Sequence, residues 1–400
     1  MPKKLIIVCL INFLIAALMG LVLRYSFLES VGLNYRFLTH AHSHVAMLGW
    51  VYLMLYAFIV HYFIPDKKPV YNKLFWVTEI AVIGMMLSFP FQGYAVISIT
   101  FSTLHIFCSY YFVYLVWKHH KIVSKAVGLM LKASLLFMLI STIGVWCLGP
   151  AVGILGQASA FYQIAIQFFL HFQFNGWFLI AVLALLFYLV RIEDSILFQN
   201  FFKLLIISTI LTFALPVQWF APHPILIYIN ILGVLLQLLT LYLFIKLIKF
   251  KMKKALKGQS KLIVTLYYFS VFCFALKILF QGVTLNPEFS EVVFMHRNFV
   301  IGFIHLVMLG VITGFLFAFL YSNQKPSASL KLGLYSFLSG FVLTEIILLI
   351  QGVRFYLGIG VISNYYLLLF LFSGLLPLGI LFILIHYIKL IHYIKSTAVN

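Results

Sequence analysis

The chain has 400 residues, of which 64% are hydrophobic and 9% charged, with a mean hydropathy of +1.12. An ordinary soluble domain carries roughly 25% charged residues, so a water-soluble globular fold is excluded. The 27 Lys and Arg outnumber the 8 Asp and Glu, giving a net charge of +19. A nucleic-acid binder gathers such charge on a polar surface, which this sequence lacks; the excess is read as membrane topology, and no nucleic-acid partner is expected.

Cutting at charges and at Pro and Gly clusters gives twelve apolar segments, near 5–23, 39–64, 71–92, 95–117, 126–149, 160–190, 200–221, 224–247, 262–282, 292–321, 330–352 and 365–388. Each is long enough to cross a hydrocarbon layer of ~30 Å as a helix, and none alternates as a barrel strand would. The expected fold is an all-α polytopic membrane protein of twelve transmembrane helices. The start, Met1-Pro2-Lys3-Lys4 and an apolar run, imitates a signal peptide but has no small-x-small cleavage site, so it is read as an uncleaved first span. Cys9, Cys108, Cys147 and Cys273 all fall in apolar stretches without CxxC or CxxH partners, which leaves neither a disulfide nor a zinc reading.

With the N-terminus in the cytoplasm, twenty-two of the 27 basic residues fall on that side, leaving five elsewhere: Arg24, Arg36, Lys277, Arg297 and Arg354. The positive-inside rule then puts both termini in the cytoplasm and checks the span count, because one missed helix would swap the sides of every later loop. No soluble domain remains, so residues 1–400 form one transmembrane domain in contact with membrane lipid. The run Lys246 to Lys261 reads as a stop signal facing anionic lipid.

Of the thirteen histidines, three have glycine five residues later: His44 with Gly49, His171 with Gly176 and His305 with Gly310, on the second, sixth and tenth spans. Gln92, Gln218 and Gln351, near the outer ends of the third, seventh and eleventh spans, repeat in step with them to within one residue. The chain reads as three pseudo-repeated four-helix arcs, about 1–120, 121–250 and 251–400. Glu79 and Glu345 share a Thr-Glu-Ile context but are out of that step.

An imidazole in hydrocarbon is costly unless it has a partner, and intramembrane ionisable groups are functional by default. The three histidines sit at similar depth, within about three turns of the outer surface at 1.5 Å per residue. Two of them on different helices can ligate one haem iron from both sides, with the glycines letting a flat macrocycle lie close to the backbone. Copper, needing several histidines converging on a point, is the alternative, and the trio alone does not choose. Haem propionates need cations, for which Arg suits best; the candidates are Arg354, Arg297 and Arg36, against plain interfacial anchoring.

With these residues the chain resembles the haem-copper oxidase subunit I superfamily, and the segment Thr39 to Trp50 also resembles the His-rich helix of divergent nitric-oxide-response NnrS-type and nitric-oxide-reductase-related proteins. The resemblance implies three arcs of four helices, His44 and His305 as the ligands of a low-spin haem, His171 as a copper ligand, and Arg354 as a propionate-binding residue. The sequence departs from that pattern at Phe303, where the family has the first histidine of His-x-His. It also departs at Gln218-Trp219, where helix 7 should bring two adjacent copper histidines and only His223 is near, and at Asn175, where the family has tyrosine. These departures argue against a standard oxygen-reducing centre. His105, in the middle of the fourth span, and His40, one turn from His44 on the same face, are further ligand candidates. His296 is read as a propionate partner or a helix cap. His61, His119, His120, His386 and His392 are read as interfacial, and Glu79 and Glu345 as either proton carriers or neutral hydrogen-bonded acids.

The expectation is a haem-binding membrane redox protein with one b-type haem, copper being a second, open possibility, in a bacterial cytoplasmic membrane. Either it reduces oxygen or nitric oxide, fed by quinol or a cytochrome alongside other respiratory subunits, or it is a non-catalytic haem protein that binds nitric oxide or supports respiratory assembly. A secondary transporter with intramembrane histidines is the third reading.

Overall fold

The computed structural model describes residues 3–122, 124–322, 324 and 326–397, the last seven by backbone alone, so the side chain of His392 lies outside the description. Among the described residues there is no strand, and twelve helices are long and apolar enough to cross a membrane. They are α1 (Lys3–Tyr25), α2 (Tyr35–Phe63), α3 (Pro69–Gln92), α4 (Val96–His119), α5 (Lys125–Leu155), α6 (Ala160–Leu189), α7 (Ile196–Gln218), α8 (Pro224–Ala255), α9 (Lys261–Val283), α10 (Arg297–Tyr321), α11 (Ala328–Tyr356) and α12 (Tyr365–Leu390). The chain is an all-α, multi-pass membrane protein.

Helix starts follow local chemistry. Ser124, Ser159, Ser195, Ser260 and Ser327 each precede a helix, and each hydroxyl accepts a backbone N–H from its first turn, satisfying a donor that hydrocarbon cannot. Two spans differ from the sequence reading. In α7 the helix is interrupted at Thr212 and Phe213, because Pro216 offers no N–H to the carbonyl four residues back. The tenth span begins later than expected: Pro287–Met295 is a separate short helix, capped by Asn286, and the backbone extends at His296 before α10 starts.

The chain divides into two compact units, Met1–Lys121 with Asn323–Asn400, and Ile122–Ser322. The first holds α1–α4, α11 and α12. Its core stacks Phe13 of α1 on Trp50 of α2 at 4.5 Å and sets Phe337 of α11 edge-on to Phe13 at 5.9 Å. Gly93 ends α3 with φ +61, and a side chain there would also strike the ring of Phe37. The second unit holds α5–α10, around a cluster in which Phe187, Phe201, Phe244 and Phe274 meet at 5.0–6.2 Å. Lys125 and Asp194 pair at 3.0 Å at one end of this unit, where Ser124 also donates to the carbonyl of Ile192.

Burial separates the helices sharply. In its most apolar stretch α2 is 78% buried, α6 83% and α10 78%, against 39–56% for the others. These three helices, and among the described residues only these, contain π-helical segments: Val45–Tyr52, Phe172–Phe178 and Leu306–Thr313.

Two glycines of α12 test the packing. A Cβ on Gly379 would lie 2.6 Å from the backbone N of Phe337 and 2.7 Å from the carbonyl O of Gly333, both on α11, whereas one on Gly374 meets nothing within 4 Å. Gly379→Ala is expected to lower stability by about 1–3 kcal/mol. Gly374→Ala is expected to be neutral or to gain up to about 1 kcal/mol from helix propensity. Thermal unfolding of the detergent-solubilised variants reads both.

Candidate functional site

Each π segment begins at the residue after a motif histidine, His44, His171 or His305, and contains the matching glycine, Gly49, Gly176 or Gly310. A π-helix pairs residues i and i+5, which is the His-to-Gly spacing. The glycines expected to make room for a macrocycle are otherwise occupied where their surroundings are described. A Cβ on Gly49 would lie 2.9 Å from Val82 and 3.1 Å from Asn12, and one on Gly176 2.6 Å from the Phe137 ring. The space is filled by side chains of neighbouring helices.

The wider turn alters carbonyl pairing, and side-chain amides respond. Asn12 of α1, 1% exposed, donates through Nδ2 to the carbonyl of Gly49 at 3.2 Å and to Oε2 of Glu79 on α3 at 2.8 Å. In the second unit Asn175 donates to the carbonyl of His171 at 3.3 Å, and Ser141 to Oε1 of Gln173 at 2.9 Å. Glu79 is therefore a hydrogen-bonded acid inside the first unit, while Glu345 is half-buried and within electrostatic range of Arg24.

The motif histidines are held differently. Nδ1 of half-buried His44 lies 2.8 Å from the carbonyl O of His40, one turn back. A carbonyl only accepts, so Nδ1 carries the hydrogen and Nε2 keeps a lone pair. That lone pair meets only the hydroxyl of Tyr94 at 3.4 Å, a long contact, and the ring packs on Phe89 at 4.4 Å. Metal-ligating histidines are usually oriented in this way, by a carbonyl on the other ring nitrogen. His40, the other candidate on that face, is half-buried and edge-on to Tyr94 at 4.7 Å, and serves His44 through its carbonyl.

His171 is buried, and its Nε2 donates to the carbonyl of Thr209 on α7 at 2.7 Å. The nitrogen that points farthest from its own backbone is thus bound to protein, unlike a copper ligand presenting Nε2. His305 ends the regular part of α10, half-buried. His105 is 4% exposed with Nε2 buried and unpartnered, its ring edge-on to Tyr52 at 4.6 Å. Among the described residues no three His, Cys, Asp or Glu side chains gather as a metal site.

The outer-loop residues have structural employment. Arg354 donates through Nε to the carbonyl of Gly360 at 3.3 Å and through Nη2 to that of Ile359 at 3.0 Å. Gln351 donates to Gly360 and accepts from the amide of Ile362, and Gln218 accepts from the amide of His223. The repeated glutamines Gln218 and Gln351 therefore staple the loop after their helices. His296 precedes α10 without a side-chain capping bond, and Arg297 and Arg36 are exposed.

Sequence reasoning missed Tyr94 and Asn12, whose partners are remote in sequence, and read Lys277 only as a topological charge. Its place within the ninth apolar run was the signal available. The arrangement defines a multi-pass helical membrane protein in whose first unit His44 is oriented by the carbonyl of His40. No protein-family model and no curated protein matches the chain.

Replacing Asn12 by leucine strands the carbonyl of Gly49 and the carboxyl of Glu79, and is expected to cost about 2–3 kcal/mol. Glu79→Gln keeps an oxygen for Asn12 and is expected to cost less than about 1 kcal/mol. Equal losses in thermal unfolding would refute the bridging role.

Proposed function

We propose that the chain is a haem-binding integral membrane protein in which His44 of the first unit would hold a b-type haem, with His305 of the second unit as the other candidate haem ligand. The observation that carries this reading is the bond from His44 Nδ1 to the carbonyl of His40, which fixes the tautomer and aims the lone pair of Nε2 away from the helix backbone. The recurrence of a π step immediately after His305 supports an equivalent role there and supports descent from a repeated unit. Membership of the haem-copper oxidase subunit I superfamily and residence in a bacterial cytoplasmic membrane belong to the same proposal.

A haem held by imidazole would supply one-electron exchange when bound. The protein residues orient the ring and neutralise its acids. Arg354 uses two of its five N–H groups on loop carbonyls and keeps three for a propionate; Arg36 and Arg297, each exposed on the same helix as its histidine and eight residues before it, are the other propionate candidates. A quinol or a cytochrome is the electron donor that fits such a carrier.

The residues do not fit a copper centre. His171 gives Nε2 to Thr209, and no three-residue ligand group is gathered among the described residues. A non-catalytic role, as an electron-carrying or nitric-oxide-linked haem protein or a respiratory assembly factor, is therefore favoured over reduction of oxygen or nitric oxide.

The absorption spectrum of the purified protein tests this. A Soret band with low-spin character is expected, lost in His44→Ala and in His305→Ala but kept in His120→Ala, with copper well below one per chain by metal analysis. A folded, membrane-inserted protein with no Soret band, or equal haem in all three variants, overturns the assignment.

A further inference from the structure

Between Lys246 and Lys257 the chain carries six lysines and no acid. Five of them lie in the last turns of α8, whose 32 residues rise ~48 Å at 1.5 Å per residue, against ~30 Å of hydrocarbon. The helix therefore continues well beyond the apolar layer. Packing holds it there: Leu247, Ile248 and Met252 are buried, and Lys251 donates to the carbonyl of Arg191 at 3.0 Å. A firmly seated basic rod leaves the membrane at this end, in place of a loose tail.

The lysines keep a helical register. Leu232, Leu235, Leu239 and Tyr242 form an exposed apolar stripe on α8 at steps of three and four residues, the face that a spanning helix turns to lipid. Lys246, Lys249, Lys253 and Lys257 continue the same steps and are exposed as well. They stand on the lipid-facing line, away from the buried face. Their depth follows from two measures. From Pro224 to Lys246 the helix rises ~33 Å, about one hydrocarbon thickness. Nζ of Lys246 lies 4.5 Å from the centroid of the Tyr242 ring, and such an aromatic–cation pair marks a membrane–water boundary. Lys249 then stands ~5 Å farther out, within a headgroup layer of ~5–7 Å, and Lys253 and Lys257 stand just above it. Phe250, 76% exposed beside them, is an apolar side chain suited to the headgroup–acyl boundary and poorly suited to water. None of the four lysines has an ion-pair or hydrogen-bond partner among the described residues.

We propose that this face of α8 binds acidic phospholipids, with Lys246, Lys249, Lys253 and Lys257 donating to headgroup phosphates and the acyl chains lying along the stripe from Tyr242 to Leu232. Four ammonium groups with no carboxylate among them complement a phosphodiester surface. Continuity with the apolar stripe selects a lipid over a soluble polyanion, which has nothing to lay against Tyr242 and Leu239. Orientation in the membrane is served by lysines anywhere on this side and does not call for lysines in register with lipid-facing side chains. The site is independent of the haem reading, since none of its residues is a haem ligand or a propionate partner in that assignment.

The test is thermal unfolding of the purified full-length protein in a neutral detergent, titrated with phosphatidylglycerol, with phosphatidylcholine or with inorganic phosphate at constant ionic strength. A ligand that binds the folded state raises the midpoint saturably. The expected result is a saturable rise with phosphatidylglycerol that exceeds any rise with the other two. Changing Lys246, Lys249, Lys253 and Lys257 together to Gln should raise the half-saturating phosphatidylglycerol concentration roughly tenfold or more. Changing the same four to Arg should keep it near the wild-type value, and so should changing the exposed Lys67, Lys73, Lys118 and Lys121 of the first unit to Gln. Equal wild-type responses to the two phospholipids overturn the proposal whether or not the first glutamine variant folds. An equal response to inorganic phosphate overturns it in favour of a free anion, and equal losses in the two glutamine variants overturn it in favour of diffuse positive charge. A missing Soret band has no bearing on any of these results.

Discussion

A backbone carbonyl in hydrocarbon has no water to turn to, and this constraint decides where the chain can afford a π turn. Each of the three π segments lies on one of the three most buried helices, where neighbouring side chains can reach carbonyls that the wider turn leaves poorly paired. The hydrogen bond from Asn12 to Gly49 is the clearest case: one amide serves both that carbonyl and the carboxyl of Glu79, joining α1, α2 and α3. In the second unit Asn175 meets the same need within its own helix, closing on the carbonyl of His171. Gly49 and Gly176 are part of this device, because Asn12, Val82 and Phe137 sit where a Cβ would be.

A shared backbone device does not enforce shared chemistry. His44 and His171 both precede a π segment, yet the first turns Nδ1 to its own helix and keeps Nε2 available, while the second gives Nε2 to a carbonyl of the next helix. One bond therefore separates a histidine suited to ligation from one suited to joining helices. The glutamines, by contrast, keep a common role: Gln351 and Gln218 both hold the loops beyond their helices, and Arg354 joins Gln351 there with two of its N–H groups.

The twelve spans were legible because crossing a membrane requires long unbroken apolar runs, and serine caps mark where many of them begin. The spacing of His44 to Gly49 and its two echoes was legible too, but its physical meaning was not. A five-residue spacing reads as a macrocycle clearance until the backbone is known to be π-helical. The interruption of α7 has a local cause in Pro216, and the backbone extends at His296 between two helices; both are visible only once helix continuity is questioned residue by residue. The partners of Asn12 and His171 lay beyond local reasoning, since each depends on which carbonyl a fold of 400 residues brings alongside.

The account stands on His44 as a ligand held in a single tautomer. Near-infrared magnetic circular dichroism of the oxidised, purified protein addresses this most directly, because the charge-transfer band of a low-spin ferric haem reports its axial pair. The expected signature is that of two neutral imidazoles. A high-spin signature, or a histidine paired with another ligand type, would contradict the account.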